Sequence, residues 1–173
     1  MGITVLPIGS IDSDILKGLS EGLARTFSQG VRIGREVPLP GASYDPERKQ
    51  YSSSRILETL KTLKPGGFEL ILGVTDVDLY VPQLNFVFGE ADPLSGAVII
   101  SLTRLRQEFY GLRPDDLLFR QRALKEAVHE LGHALRLQHC RRPDCIMYFS
   151  NSIDDTNRKG PGFCRLCKLR LGL

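Results

Sequence analysis

The sequence has no long apolar segment, and it has few residues of the two types that most often bind zinc. No apolar run approaches the ~18–20 residues of a membrane-spanning helix, and the first residues lack the charged region and cleavage site of a signal peptide. We therefore expect a soluble, cytoplasmic protein. Only three histidines and four cysteines occur among 173 residues. All seven lie between residues 129 and 167, and this clustering predicts a metal-binding segment.

The length and charge of the chain fit a single domain, residues 1–173, with a basic C-terminal part. Domains most often contain ~100–150 residues, and 42% hydrophobic with 25% charged residues is an ordinary globular composition. Residues 140–173 carry a charge of +4, and residues 1–139 carry −1. A basic tail can attract nucleic acid or an acidic partner, but a solvated surface around a metal site is the more ordinary interpretation. We expect a monomer that binds neither nucleic acid nor membranes.

Apolar periodicity predicts alternating strands and helices in the first part of the chain. The predicted strands are Ile3–Ile8, Val31–Val37, Phe68–Val74, Asn85–Phe88 and Ala97–Leu102. The predicted helices begin after Asp12, after Ser52–Ser54 and near Pro114-Asp115-Asp116, and the second ends at Pro65-Gly66-Gly67. The last helix, about residues 115–136, has an apolar stripe formed by Leu117, Leu124, Val128, Leu131 and Leu135. This order predicts an α/β (α+β) fold with a mixed, mostly parallel sheet, followed by a small lobe at residues 140–173.

The last predicted helix contains the motif H-E-x-x-H, formed by His129-Glu130-Leu131-Gly132-His133. Residues four apart on a helix lie ~40° apart around its axis, so both imidazoles can reach one ion. Glu130 then projects beside the metal, where its carboxylate can take a proton from a zinc-activated water and pass it to the leaving amine. Zinc suits this chemistry because it polarises a carbonyl and lowers the pKa of its water towards 7 without redox chemistry.

His139 is the candidate for a third ligand. On a continuing helix it would lie ~9 Å beyond His133 along the axis and could not share the ion. We therefore expect the helix to end between these two residues, so that the chain returns His139 to the metal. Three protein ligands and an open position are what a catalytic zinc site requires. The alternative is that the three histidines are unrelated surface or core residues.

The four cysteines form two pairs, Cys140-x4-Cys145 and Cys164-x2-Cys167. Four thiolates close a tetrahedral zinc shell and leave no position for substrate, which predicts a second, structural zinc. Disulfides are the alternative, but a reduced cytoplasm disfavours them. Because Cys140 directly follows His139, we also hypothesise that the structural zinc holds the segment that carries the third catalytic ligand.

The joint pattern of histidines and cysteines, with Met147 two residues after Cys145, resembles the archaemetzincins, a family of metzincin-type zinc metallopeptidases. Further segments that resemble this family are Tyr44-Asp45-Pro46, Gln50-Tyr51, Leu72-Gly73-Val74-Thr75, Asn85-Phe86-Val87-Phe88-Gly89 and Phe149-Ser150-Asn151-Ser152. The resemblance covers most of the chain.

This resemblance implies a metzincin-like fold and two zinc ions per chain. The catalytic zinc would lie on His129, His133 and His139, with Glu130 as general base and acid, and the structural zinc on Cys140, Cys145, Cys164 and Cys167. Met147 would form the Met-turn, an apolar floor below the metal, although a plain core role is the alternative. Asn85–Gly89 would be the edge strand that pairs with an extended peptide.

The sequence departs from the family motif at one position. The motif H-E-x-x-H-x-x-G-x-x-H has glycine where this chain has Arg136. That glycine allows a sharp turn after the helix, and a left-handed conformation costs another residue on the order of 1–2 kcal/mol. We expect that Arg136 could shift His139, loosen the metal or narrow the cleft, or contact an acidic substrate.

These observations favour a zinc metallopeptidase that hydrolyses peptides or proteins with a zinc-activated water. The alternative is a non-catalytic zinc protein whose basic cysteine lobe binds nucleic acid or a protein partner. Glu130 distinguishes the two hypotheses, because pure binding has no use for a carboxylate beside an open metal position.

Overall fold

A five-stranded sheet lies at the centre of the structure, a computed structural model that describes residues 2–64 and 69–173. The strands are β1 (Gly2–Ile8), β2 (Val31–Ile33), β3 (Tyr44–Asp45), β4 (Gln50–Ser52), β5 (Glu69–Thr75), β6 (Leu79–Tyr80), β7 (Gly89–Asp92) and β8 (Ala97–Ser101). The main sheet has the order β2-β1-β5-β8-β7, and the other three strands form a small sheet in the order β3-β4-β6. The first four strands of the main sheet run parallel, and β7 is an antiparallel edge strand. The predicted mixed, mostly parallel fold is confirmed.

Helices cover both faces of the main sheet. The helices are α1 (Ser13–Phe27), α2 (Ser53–Leu63), α3 (Asp116–Ala134), α4 (Ile153–Arg158) and α5 (Arg165–Leu171), and three short 3-10 turns occupy Gly41–Ser43, Thr103–Leu105 and Gln107–Tyr110. Alternate residues of a strand face opposite sides. In β5, Leu70 and Leu72 belong to the core formed with α1 and α3, whereas Ile71 belongs to the core formed with α2. This double coverage explains why the strand is apolar along its whole length.

Two predicted strands differ from the structure. Residues 85–88 form no strand, and only Val87 makes an isolated bridge, to Leu79. At the start of this segment, the side chains of Arg48 and Gln50 both donate to the carbonyl oxygen of Asn85. The edge strand begins one residue later, at Gly89. The predicted strand Val31–Val37 ends at Ile33, because β2 lies at the edge and beyond it the chain makes only scattered bonds to β1.

The buried face of α3 also differs from the predicted stripe. Leu117 is 69% exposed, whereas Phe119 is 5% exposed and packs in the core. Leu117 lies in the exposed first turn of α3, where it lines a shallow cavity beside α1 and is not part of the core. The predicted end of α2 at Pro65-Gly66-Gly67 and the start of the next strand at Phe68 lie outside the described residues. In the described ranges, no helix is long and apolar enough to cross a membrane.

Candidate active site and metal centres

The second half of α3 carries the first two histidines and the glutamate. Asp115 caps the start of this helix by accepting a hydrogen bond from the backbone N–H of Leu118 at 2.9 Å. His129 and Glu130 are buried, with 4% and 7% of their surface exposed, and His133 is partly buried. The Nε2 atoms of His129 and His133 lie 3.1 Å apart, as expected for two residues one turn apart on one face of the helix.

The helix ends in a turn that brings the third histidine back. Arg136 has φ +66°, the left-handed conformation expected for this position. Its N–H donates to the carbonyl of His133 at 2.8 Å, and the N–H of Leu137 donates to that of Gly132 at 2.9 Å, which together form a Schellman motif. The Nε2 atom of His139 then lies 3.1 Å from that of His133. The predicted helix break is confirmed, and the left-handed arginine leaves His139 beside the other two imidazoles.

Backbone carbonyls orient two of the three imidazoles. Nδ1 of His129 lies 2.8 Å from the carbonyl oxygen of Ile146, and Nδ1 of His133 lies 2.8 Å from that of Leu137. A carbonyl oxygen can only accept, so each Nδ1 donates a hydrogen and each Nε2 keeps a free lone pair. This is the tautomer that a metal requires. Burial lowers the pKa of His129 to about 2, which keeps the ring neutral.

The donor atoms of the three histidines fit one zinc ion. One ligand nitrogen from each of His129, His133 and His139 lies within 4.8 Å of the others. At Zn–N distances of ~2.0–2.1 Å, two ligands of a tetrahedral zinc lie ~3.3 Å apart, close to the separations observed here. The three donors leave a fourth position, and the phenyl ring of Phe149 lies edge to face beside His139 at 4.9 Å between centroids.

A cleft of about 530 Å³, hereafter the main cleft, opens onto these imidazoles. It is lined by residues 84–91, by Glu126, His129, Glu130 and His133 of α3, and by His139 and Phe149–Asn151. Burial raises the pKa of Glu130, and the negative charge of Glu126 raises it further. A carboxyl group that holds a proton more readily suits proton transfer near neutral pH.

Two glycines allow close packing at the site. A Cβ atom at Gly132 would lie 2.4 Å from Sδ of Met147, and one at Gly89 would lie 2.7 Å from Cγ of Glu130. Met147 is fully buried and packs in the main core, against the helix that carries the histidines. Sequence reasoning did not identify the packing role of either glycine. The position of Gly132 could have indicated it, because glycine inside a helix costs ~1 kcal/mol relative to alanine and usually has a packing reason.

The four cysteines lie together behind the histidines. The Sγ atoms of Cys140 and Cys164 are 3.9 Å apart, and those of Cys145 and Cys167 are 3.8 Å apart. A disulfide would require ~2.05 Å, whereas Zn–S distances of ~2.3 Å place two ligands of a tetrahedral zinc ~3.8 Å apart. The backbone N–H of Cys167 lowers the pKa of Cys164 to about 7, which favours its thiolate, whereas burial raises the pKa of Cys145 and of Cys167. This donor set fits a closed zinc site.

Backbone contacts connect the two sets of ligands. Cys140 follows His139, and its N–H donates to the carbonyl of Met147 at 2.8 Å. The residue between Cys145 and Met147 is Ile146, whose carbonyl orients His129. The cysteine segment therefore touches the histidine site at two points.

A buried ion pair lies below the main cleft, and sequence reasoning did not identify it. Nζ of Lys159 lies 3.3 Å from Oε2 of Glu126, and their side chains are 0% and 5% exposed. Lys125 also donates to the carbonyls of Thr156 and Asn157 near the end of α4. No local pattern marked Lys159, which is one of several basic residues in the tail. Its burial also removes one positive charge from the surface that could attract nucleic acid.

The fold and the histidine site together define the class of this protein. Helix α3 lies against the sheet beside the edge strand, and its two histidines meet a third one in a group that could hold a metal, next to a buried carboxylate. Zinc metallopeptidases have this arrangement. We therefore assign the chain to the zinc metallopeptidases, whose substrates are peptides or proteins.

Comparisons with known proteins agree with this class and identify the family. The model of peptidase family M54 matches residues 37–172. The archaemetzincin of Pyrococcus furiosus is 46% identical over 175 residues, covering 98% of this chain and 91% of the relative. That of Methanocaldococcus jannaschii is 42% identical over 171 residues, covering 99% and 93%. The chain belongs to peptidase family M54, the archaemetzincins.

Solved structures agree at the level of the whole chain. A zinc-dependent peptidase from Methanocorpusculum labreanum has a TM-score of 0.91 at 34% identity and covers 98% of this chain and 100% of that chain. The archaemetzincin of Archaeoglobus fulgidus has a TM-score of 0.85 at 36% identity, with 98% and 99% covered.

Proposed function

We propose that Glu130 is the general base and acid of a peptide-bond hydrolysis carried out on a zinc held by His129, His133 and His139. The observation that carries this proposal is that Glu130 directly follows a ligand and lines the same cleft as all three imidazoles. A zinc bound there would polarise the scissile carbonyl and make water a better nucleophile. Glu130 accepts the proton of the attacking water on its carboxylate and then donates it to the leaving amine.

The open edge of β7 is the proposed binding surface for the peptide backbone. The N–H of Ser101 on β8 donates to the carbonyl of Phe88 at 2.8 Å. In an antiparallel ladder alternate residues bond inward, so Gly89 and Ala91 direct their N–H and C=O groups to the free edge. This edge borders the main cleft, and an extended peptide adds there as a further strand. We therefore propose residues 89–91 as the segment that pairs with the peptide, in place of the residues 85–89 expected from the sequence.

A second zinc on Cys140, Cys145, Cys164 and Cys167 completes the proposal, within a single domain of residues 1–173. The sulfur separations and the direct succession of His139 and Cys140 support a structural ion that fixes the third histidine. The same ion would also hold His129 in place, because Ile146, which follows Cys145, accepts the hydrogen bond of the His129 imidazole. Met147, held under Gly132, keeps the floor of the site dry and apolar.

Substitution of the glutamate tests the catalytic role. We expect Glu130→Gln to keep two zinc ions by metal analysis and to lower kcat by ~100-fold or more on a peptide that the parent cleaves. Glu21→Gln, an exposed glutamate on α1, is the matched control and should cleave as the parent does. A Glu130→Gln protein that hydrolyses the peptide at the parental rate would show that another group moves the proton.

Substitution of a cysteine tests the coupling between the two sites. We expect Cys164→Ser to weaken the histidine site ~10-fold or more, as loss of supporting contacts does at other zinc sites. Cobalt(II) absorption distinguishes thiolate from histidine ligation, and competition with a chelator gives the affinity of each. Lys168→Gln, an exposed change on the same helix, is the control. Unchanged affinity of the histidine site in Cys164→Ser would refute the coupling.

A further inference from the structure

Arg136 lines one of two cavities that meet at the proposed metal. The main cleft shares His133 and His139 with a second cavity of about 620 Å³, hereafter the side cavity. The side cavity is lined by Pro93, His133, Arg136, Leu137, Gln138 and His139. A peptide that extends along the main cleft past the metal therefore reaches the side cavity.

The charges of the two cavities are distributed unevenly. Apart from histidines, the charged lining residues are Glu90, Glu126 and Glu130 in the main cleft and Arg136 in the side cavity. Glu90 accepts hydrogen bonds from two serines of α2, and Glu126 is paired with Lys159. Arg136 is exposed and has no ion pair within the described ranges. Among residues 2–64 and 69–173, Arg136 is the one Lys or Arg that lines either cavity, and no carboxylate of these residues lines the side cavity.

Arg136 occupies a backbone position that favours glycine. The position is the C′ residue of the Schellman motif, with φ +66°, where glycine fits without strain. The turn itself therefore gives no reason for an arginine. The same turn fixes the Cα of Arg136 between two metal-binding histidines, and the residue lines the side cavity beside them. A guanidinium in that place binds a carboxylate with two parallel hydrogen bonds.

We propose that Arg136 is a specificity-determining residue that binds a carboxylate of the peptide, on the side of the scissile bond that faces the side cavity. The carboxylate belongs either to an Asp or Glu side chain or to the free C-terminus. This inference rests on the proposed peptidase function and adds a substrate class to it. Because the contact is exposed to solvent, the expected preference is about fivefold in kcat/KM, and it falls as ionic strength rises.

The experiment uses the full-length, zinc-loaded protein and eight-residue peptides of Ala and Gly. Each peptide carries one Glu or one Gln, placed at every position in turn, with either a free or an amidated C-terminus. Cleavage sites and kcat/KM values are read by mass spectrometry at low and high salt. A Glu over Gln preference at a fixed distance from the cleaved bond identifies a side-chain carboxylate. A preference for the free acid over the amide identifies the C-terminus.

Two variants separate the charge from the backbone. Arg136→Gly restores unstrained geometry and so folds at least as well as the parent, while Arg136→Gln keeps the turn and removes the charge. We expect both to lose the roughly fivefold preference and its salt dependence. Arg141→Gln, a neighbouring exposed arginine that lines neither cavity, should keep both.

The outcomes distinguish this inference from the proposed function. A parent protein without any carboxylate preference, or variants that retain the preference, would overturn the role of Arg136. If no peptide is cleaved, calorimetric titration of the same peptides measures binding directly. Carboxylate-dependent binding that Arg136→Gln abolishes would then support the site while the peptidase proposal fails. Equal binding of Glu and Gln peptides, and of free and amidated C-termini, would overturn the role of Arg136.

Discussion

The buried pair between Lys159 and Glu126 gives the sharpest prediction about stability. Lys159 ends the short helix α4, and Glu126 lies one helical turn before Glu130, so the pair joins the C-terminal part of the chain to the active-site helix. The perturbation is Lys159→Met, which keeps most of the side-chain volume and removes the ammonium group. Glu126 then remains in a buried place without its partner.

The structure sets the size of the expected effect. Both side chains are almost fully buried, at 0% and 5% exposure, so solvent screens their interaction very little. Removing one partner of a buried pair costs ~3–5 kcal/mol, because the other charge is left uncompensated. The single contact of 3.3 Å between Lys159 and Glu126 is long for an ion pair, which favours the lower end of that range. We expect a loss of about 3 kcal/mol, which for a domain of this size lowers Tm by ~6–12 °C.

The assay is urea unfolding at saturating zinc, followed by circular dichroism and by tyrosine fluorescence. Coincidence of the two transitions checks that unfolding is two-state. The double variant Glu126→Met/Lys159→Met should return to within ~1–2 kcal/mol of the parent, since apolar residues often replace a buried pair without loss. Arg158→Met, an exposed neighbour of the lysine, is the control for the loss of one positive charge.

Two results would refute this reasoning. A Lys159→Met protein within ~1 kcal/mol of the parent would mean that the pair contributes little or that water reaches it. A double variant less stable than both single variants would mean that the two residues act through packing and not through their mutual attraction.

Three further predictions concern packing, pH and metal. Gly132→Ala should destabilise the protein by ~1–3 kcal/mol, because the new methyl group meets Met147. The control Gly162→Ala places its methyl group in open space and should have little effect. Equal urea midpoints of the two variants would contradict this. Burial lowers the pKa of His129 to about 2, so between pH 6.5 and 2 the unfolded chain binds a proton that the folded apoprotein does not. The stability of the zinc-free protein should therefore fall as pH decreases below 6.5, by up to ~1.4 kcal/mol per unit, and His129→Gln should flatten this slope in urea titrations at several pH values. Chelation of zinc should lower Tm, and two equivalents of zinc per chain should restore it. Full recovery at one equivalent would refute the second zinc site.

Local sequence predicted the parts of the fold that depend on short-range patterns. The apolar run at residues 68–74 predicted β5, and Asp12 and Ser52–Ser54 predicted the starts of α1 and α2, which the structure contains. The failures occurred where tertiary contacts decide. Residues 85–88 are apolar enough for a strand, but the carbonyl of Asn85, at the start of this segment, accepts hydrogen bonds from the side chains of Arg48 and Gln50 instead of from a neighbouring strand.

The candidate site divides in the same way. Spacing alone placed His129 and His133 on one face of a helix, and it required the helix to end before His139, because a helix has a fixed rise and rotation per residue. Arg136 was expected in a left-handed conformation from its place in the motif, and the structure has it at φ +66°.

The sequence by itself determined the family and which residues are candidate ligands, because zinc chemistry restricts both the residue types and their spacing. Only the tertiary structure decided which groups surround the ligands. Lys159 is 33 residues from Glu126, and Gly89 is far in sequence from Glu130, so no local pattern links them. Their meeting depends on how the sheet, the active-site helix and the cysteine segment pack, and the placement of Arg136 beside a second cavity depends on that packing as well.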